Sequence, residues 1–350
     1  MDHDPPPSAG EPPTTPSDTI AFQRAVIDWF DRDGKDYPWR RTNDPYAILV
    51  SELMLQQTRI AVVLERRYYQ RWMERFPTPE ALASAREEDV LKAWEGLGYY
   101  NRARNLQRAA RDIVLHRGGT FPDTLEGLQS LPGVGRYTAG AVASFAYGQS
   151  APIVDGNVIR LFSRIFADWE PVDSAPMKRA MWERAERLTP ETAVRSYNSG
   201  IMEIGQRICT RGTPACLICP VSAWCRARSL GNPEEFPIKK STSRVVPLDE
   251  HVLLHTRDDR VFLCPEAGSR RNGLWRLPEI PPEDAAGLPI RLKLVYGITR
   301  FRVTLHVYAP KGDSPPPSGS AGRWFDRSDS ASLPPLGAPY RRALEDLALL

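Results

Sequence analysis

Residues Leu131–Gly148 read LPGVGRYTAGAVASFAYG, and shortly after them Pro152–Arg160 read PIVDGNVIR. Gly133 and Gly135 flank one apolar residue between two segments of helical patterning. Two glycines so placed permit a tight turn and let another backbone come close. The amides of such a turn, with the N-terminus of the helix behind it, can cradle a phosphate without reading sequence. The same GVG serves equally as a plain corner between two helices. Asp155 stands just before a new apolar-periodic run, where Asp-Gly-Asn is an ordinary helix cap and turn. Spacing by itself puts the cap ahead of a catalytic role.

From Thr19 to Leu230 the pattern is helical nearly throughout. AFQRAVIDWFDRD, IAVVLERRYYQRWMERF and EEDVLKAWEGLG set apolar residues three and four apart, and FPTPE, RGGTFPDT and LPGVG punctuate them. No strand-type alternation occurs there, which predicts an all-α domain over residues 18–230. Beyond Cys225, RSLGNPEEFPIKKSTSRVVP is polar and Pro-bearing and reads as a linker at 231–246. Short β-type runs follow: DEHVLLHT, RVFLCP, IRLKLVYGI and FRVTLHVYA. A loop, PKGDSPPPSGSAG, and a closing helix, YRRALEDLALL, complete a second, α+β domain over 247–350. Residues 1–17 are of low complexity and are expected to form a disordered tail.

A chain of 350 residues suits two domains, and 41% hydrophobic with 25% charged residues is ordinary for a soluble globular protein. No apolar run reaches the roughly 18–20 residues that span a bilayer. The acidic, Pro-rich N-terminus lacks the apolar core of a signal peptide. The expectation is a cytoplasmic protein with no membrane partner, nucleoid-associated in a bacterium. A net charge of +3 and a pI near 8.6 permit a nucleic-acid partner without arguing for one.

Four of the five cysteines crowd together as Cys209, Cys216, Cys219 and Cys225, spaced C-x6-C-x2-C-x5-C, while Cys264 stands apart. An odd count argues against a disulfide framework, and the cluster argues for a metal site. Four thiolates in this spacing can close around one zinc or around an iron–sulfur cluster. Either would be structural, because four cysteines leave no open coordination position.

Hairpin, aspartate and cysteine loop together resemble the endonuclease III (helix-hairpin-helix) superfamily of DNA glycosylases, and more narrowly its MutY, adenine-removing branch. YPWR (37–40), DPYAILVSELMLQQTRI (44–60), LKAWEGLGYYNRARNL (91–106), LPGVGRYTAG, VDGNVIR and ICTRGTPACLICPVSAWC carry the resemblance, which runs from Phe22 to Cys225. It implies an all-α helix-hairpin-helix glycosylase domain whose cysteine loop, 209–225, holds a 4Fe–4S cluster. It also implies an α+β, Nudix-like C-terminal domain. Endonuclease III carries a lysine nucleophile where this chain has Tyr137. Without that amine no Schiff base forms, so strand cleavage is not expected and the enzyme is monofunctional. A thymine-removing relative shares the tyrosine but lacks the acid at Glu52, so Glu52 points to adenine.

The resemblance gives Glu52 the role of general acid at the adenine ring and Asp155 that of stabilising the oxocarbenium-like sugar. Asn157 orients the acids or the water, and Tyr137 hydrogen-bonds into the same site. It assigns Trp39, Arg40, Gly133 and Gly135 to DNA or base contact, and Gln57, Leu97 and Tyr99 to the gap left by a flipped base. Arg102, Arg104, Arg108 and Arg111 follow at helical spacing, as phosphate contacts or as a solvated face.

In the second domain NGLWRLPEI (272–280) is similar to the Nudix signature segment, without the acidic run that holds magnesium. That domain reads 8-oxoguanine in the family with Phe-Ser-His or Phe-Thr-His. Here the stretch is Ile298-Thr299-Arg300, which keeps the polar Thr299 and puts Arg300 in place of histidine. Ser199 stands where the family carries Gln or Glu near the adenine. The expected partner is double-stranded DNA bearing adenine mispaired with 8-oxoguanine or guanine, met by a monomer. The alternatives are a glycosylase of the same mechanism with altered or relaxed opposite-base preference, and a non-catalytic iron–sulfur DNA-binding or redox-sensing protein.

Overall fold

The computed structural model describes residues 10, 12–240, 245–266, 271–298, 300–312, 315–316, 321–329 and 332–350. Most of the expected tail, and Thr299, lie outside the described residues. The helices, in chain order, are α1 (Pro16–Asp33), α2 (Pro45–Leu55), α3 (Ile60–Glu65), α4 (Tyr68–Arg75), α5 (Pro79–Ser84), α6 (Glu87–Ala93) and α7 (Asn101–His116). They continue with α8 (Leu125–Gln129), α9 (Arg136–Tyr147), α10 (Gly156–Phe166), α11 (Ala175–Leu188), α12 (Val194–Arg207) and α13 (Arg226–Ser229). The strands are β1 (Val246–Leu253), β2 (Thr256–Arg257), β3 (Arg260–Pro265), β4 (Trp275–Arg276), β5 (Ile290–Ile298), β6 (Phe301–Tyr308) and β7 (Arg323–Asp326), and α14 (Ala338–Asp346) follows. Among the described residues no helix is long and apolar enough to cross a membrane.

Two compact units form: residues 1–57 with 108–242, and residues 58–107 with 243–350. In the first, local chemistry sets the helix starts. Thr15 accepts from the Asp18 amide at 3.1 Å to begin α1, and Asp44 accepts from the Tyr46 amide at 2.9 Å, with Pro45 opening α2. Tyr46 to Met54 are all buried, so α2 is a central helix with no solvent face. It packs on α9, while α12 packs on α1, α9 and α10. Phe22, Val26, Phe162, Ile165, Tyr197 and Ile201 form the core among these helices. Arg195 ties the segment before α2 in place: it donates to the carbonyls of Arg40 (2.7 Å), Thr42 (2.8 Å) and Phe145 (2.8 Å).

In the second unit the periodic run IAVVLERRYYQRWMERF is two helices rather than one. Arg67 takes a left-handed backbone, φ 51°, between α3 and α4, and the break turns Tyr68, Tyr69 and Trp72 into the core. Trp72 meets Phe76 and Trp94 edge-on, with centroids 5.0 and 5.2 Å away. β5 and β6 form an antiparallel hairpin closed by the Ile298–Phe301 pair, and β1 adds to β6 in parallel. A second sheet pairs β3 with β2, β4 and β7. Val252, Val261, Leu263, Leu305, Tyr340 and Leu344 lie in the core between these strands and α14.

Candidate active site

Within the first unit, α2 carries Glu52 inward. Its neighbours Val50 and Leu53 are buried and Glu52 itself is only 5% exposed. The Tyr137 hydroxyl, at the start of α9, donates to Glu52 Oε2 at 2.7 Å and lies 3.9 Å from Met202 Sδ. Burial pushes the Glu52 carboxyl up to about 7; the Tyr137 hydrogen bond and the Arg40 cation pull it down, and Asp155 pushes it further up. Holding a proton that far above the ordinary range costs the ionised form on the order of 3 kcal/mol. Burial beside the two carboxyl groups holds the Tyr137 phenol well above its usual range.

Asp155 does cap α10: Oδ1 accepts from the amides of Asn157 (2.9 Å) and Val158 (2.7 Å). Its other oxygen accepts from Asn157 Nδ2 at 2.8 Å. Burial raises its carboxyl too, but these three hydrogen bonds and Arg160 favour the ionised form. The cap reading and a chemical role are therefore compatible in one side chain. Glu52, Tyr137, Asp155 and Asn157 come together as one electrostatically coupled group.

Two arginines on α10 fasten this group to the cysteine loop. Arg160 donates to Asn157 Oδ1 (2.9 Å), to the Cys209 carbonyl (2.6 Å) and to the Gly205 carbonyl. One turn on, Arg164 donates to the carbonyls of Thr210 (2.8 Å) and Phe236 (3.1 Å) and reaches Cys209 Sγ at 3.3 Å. α12 closes on α10 at Gly205, where a Cβ would stand 2.8 Å from Asn157 Cβ. The sequence reading missed Arg160 and Arg164. Their signal is two cations four residues apart in a helix otherwise rich in Ile, Leu and Phe.

Arg40 is committed inside the protein. It pairs with Glu203, whose side chain is 0% exposed, and lies over the rings of Phe30 (4.9 Å) and Tyr37 (4.8 Å). Glu203 also accepts from Arg207 (2.6 Å) and the Lys35 amide (3.0 Å). Trp39 is buried and stacked on Tyr37 at 5.2 Å. Glu203 is the third residue the sequence reading missed; a lone Glu in MEIGQ carries no signal without its partners. Ser199 lies buried on α12.

Gly133, at φ 77°, makes the hairpin turn, a backbone that other residues adopt only under strain. Val134 tucks inward while Gly133 and Gly135 stay exposed. Gly135 caps α9 with no side chain over the first-turn amides. Gln57, after α2, is exposed and left-handed, φ 56°.

In the second unit, Tyr99 sits at φ 48° with 54% of its surface exposed, while Leu97 and Tyr100 are buried. Arg102 is buried rather than on a phosphate face: it donates to the carbonyls of Leu97 and Gly98, both at 3.0 Å, and lies under the Tyr99 ring at 5.6 Å. Arg104 pairs with Glu87 at 2.7 Å. Arg300 is exposed at the β5–β6 turn, 5.3 Å over the Phe301 ring.

Cys209, Cys216, Cys219 and Cys225 line one pocket together with Arg164 and Arg228. Burial, reinforced by the neighbouring cysteines, pushes the Cys219 thiol up to about 12 and the Cys225 thiol up to about 11. Among the described residues no three His, Cys, Asp or Glu side chains converge on a point that would hold one metal ion.

The hairpin, the buried acid and the capping aspartate define a class, the base-excision glycosylases. The pattern of the family described as "HhH-GPD superfamily base excision DNA repair protein" matches residues 50–187. The chain is 39% identical over 228 residues to an adenine DNA glycosylase of Mycobacterium tuberculosis, covering 63% of this chain and 74% of that protein. It is 41% identical over 243 residues to the human adenine DNA glycosylase, covering 67% of this chain and 44% of that one. The matched region thus spans less than half the length of the human relative. A solved thermostable thymine-DNA glycosylase superposes with a TM-score of 0.55 at 30% identity, over 60% of this chain and 97% of that one. The chain belongs to the adenine DNA glycosylase family of the HhH-GPD superfamily.

Glu203→Ala leaves Arg40 and Arg207 facing a buried void. Unpairing a buried ion pair costs about 3–5 kcal/mol, so thermal unfolding of this variant is expected well below that of the parent, with the Glu203→Gln protein intermediate.

Proposed function

We propose that this protein is a monofunctional adenine DNA glycosylase, hydrolysing the bond between adenine and deoxyribose at a mispair. The observation that carries the reading is the divided environment of Glu52 and Asp155. Glu52, in an apolar helix, keeps a proton near neutral pH and delivers it to N7 of the flipped adenine, turning a poor leaving group into a good one. Asp155, whose ionised form three hydrogen bonds favour against its burial, faces the positive charge that develops on the sugar. Asn157, fixed by Arg160, keeps that carboxylate in place. Tyr137 supplies a hydroxyl where a lyase would carry an amine, so the phosphodiester strand stays intact.

The uncovered amides at the start of α9 suit a DNA phosphate, and the exposed ring of Tyr99 suits stacking in an opened duplex. Single-turnover release of adenine from duplexes pairing it with 8-oxoguanine or guanine tests the reading. Adenine is expected from at least one, with no strand nicking, and Glu52→Gln is expected to lower the rate about 10²–10⁴-fold. No release from either duplex sinks the proposal, as would full activity in Asp155→Asn.

The pH dependence has a definite sign. The rate falls as pH rises through the Glu52 value near 7, because the acid is lost. Tyr137→Phe removes a hydrogen bond that favours the ionised form, so its alkaline limb is expected to move to higher pH. A move to lower pH, or none, contradicts the assigned role.

The C-terminal strands support a Nudix-like reader of the opposite strand. Arg300, exposed at the β5–β6 turn, favours a second reading in which opposite-base preference differs from that of the family. Equal rates on the two duplexes support it.

The cysteine pocket fits a 4Fe–4S cluster better than zinc. A zinc needs four sulfurs converging on one ion, whereas in a cubane each iron takes its own thiolate. Thiols pushed up this far need a cationic group to exist together as thiolates. Bound there, the cluster supplies a structural cross-link for the loop that Arg160 and Arg164 grip. Purified protein is expected to be coloured, with a broad iron–sulfur absorption in the visible region; colourless, zinc-loaded protein refutes the assignment.

A further inference from the structure

The loop that presents Tyr99 is gripped from α14 and the segment that leads into it, at residues on both sides of the exposed ring. Before it, Glu95 is 8% exposed at its side chain and accepts Arg341 in a two-pronged pair, Nε at 2.7 Å and Nη2 at 2.9 Å. Glu95 Oε1 also accepts from the Leu336 amide at 2.9 Å. After the ring, the Tyr100 hydroxyl donates to the Leu336 carbonyl at 3.1 Å. Lys92 donates to the Leu333 carbonyl at 2.8 Å. Between the two grips the backbone passes through φ 92° at Gly96, 70° at Gly98 and 48° at Tyr99. The last is a conformation a tyrosine holds only when its surroundings impose it.

The gripping segment is continuous with the sheets. The Trp275 amide donates to the Pro335 carbonyl at 2.9 Å, and Leu336 bridges to Trp275. On α14, Tyr340 next to Arg341 donates to Glu250 of β1, which also accepts from Tyr296 of β5 at 2.6 Å. Hydrogen-bonded side chains therefore run from the β5–β6 hairpin through Glu250, α14 and Glu95 to the base of the Tyr99 loop.

We propose that Glu95 and Tyr100 are positioning residues through which the C-terminal domain holds the exposed Tyr99 ring ready to enter a DNA duplex. The inference rests on the glycosylase reading above, because it assumes that Tyr99 fills the gap left by a flipped base. It explains why a buried carboxylate and a buried phenol flank one exposed, left-handed aromatic residue. It also gives the C-terminal domain a part in base extrusion besides any contact it makes with the opposite base.

A double-mutant cycle separates this from a merely structural role, since a residue acting through Tyr99 has nothing to act on once Tyr99 is gone. Glu95→Gln and, as the milder change, Tyr100→Phe are each combined with Tyr99→Ala, and single-turnover adenine release is measured on the full chain. In the Tyr99 protein, Glu95→Gln is expected to slow release about tenfold and Tyr100→Phe about threefold; in the Tyr99→Ala protein each changes it less than about twofold. Reversing the pair, Glu95→Arg with Arg341→Glu, is expected to recover part of the loss. Equal losses in both Tyr99 backgrounds overturn the proposal. A parent protein that releases no adenine fails the glycosylase reading alone. The same cycle is then read in affinity for a mispaired duplex, with the same two outcomes.

Discussion

The structure depends on two carboxyl groups kept from water side by side, only one of which is met by backbone amides. Glu52 is buried in a helix with no solvent face and accepts a hydrogen bond from the Tyr137 hydroxyl. Asp155 receives two backbone amides and a side-chain amide. Burial raises both carboxyl groups, but Asp155 has three hydrogen bonds that favour its ionised form where Glu52 has the Tyr137 hydroxyl, a difference that suits acid-assisted cleavage of a glycosidic bond. Much of the first unit serves this pair. α2 brings the acid, α9 the tyrosine and α10 the aspartate, and α12 closes over them where Gly205 lets it approach Asn157.

How rigidly the pair is held follows from α10. Its N-terminus carries Asp155 and Asn157, and its buried face carries Arg160 and Arg164, which bind backbone and sulfur of the cysteine loop. The cysteine loop, whose Val221 and Trp224 are also buried in the core, is thereby tied to Asp155 and Asn157. In the second unit, Arg102 and Trp94 hold the carbonyls under Tyr99 while its ring remains exposed.

Much of this was legible in the sequence, and unevenly so. Helical periodicity marked residues 19–230, and the four β-type runs correspond to β1, β3, β5 and β6. Glycine spacing marked the hairpin. The grouping of Glu52 with Tyr137 and Asp155 came from motif resemblance, because 85 residues separate the first pair in the chain. Charges were the hardest to read. Arg40, Arg102 and Arg104 look like DNA contacts in a row of letters, but they are spent on Glu203, on loop carbonyls and on Glu87. An arginine's partner is set by tertiary proximity, which periodicity does not encode. For the same reason Glu203 and the Glu95–Arg341 pair left no trace that composition or spacing could show.

The central claim is that Glu52 carries a proton at neutral pH while Asp155 does not. Infrared difference spectra between the parent protein and Glu52→Gln, recorded near pH 6.5, test it directly. The account predicts a protonated carboxylic C=O band that is present in the parent, absent in Glu52→Gln, retained in Asp155→Asn and lost on raising the pH well above 7. A spectrum with only ionised carboxylate at that pH, or a protonated band that disappears with Asp155 instead, would contradict it.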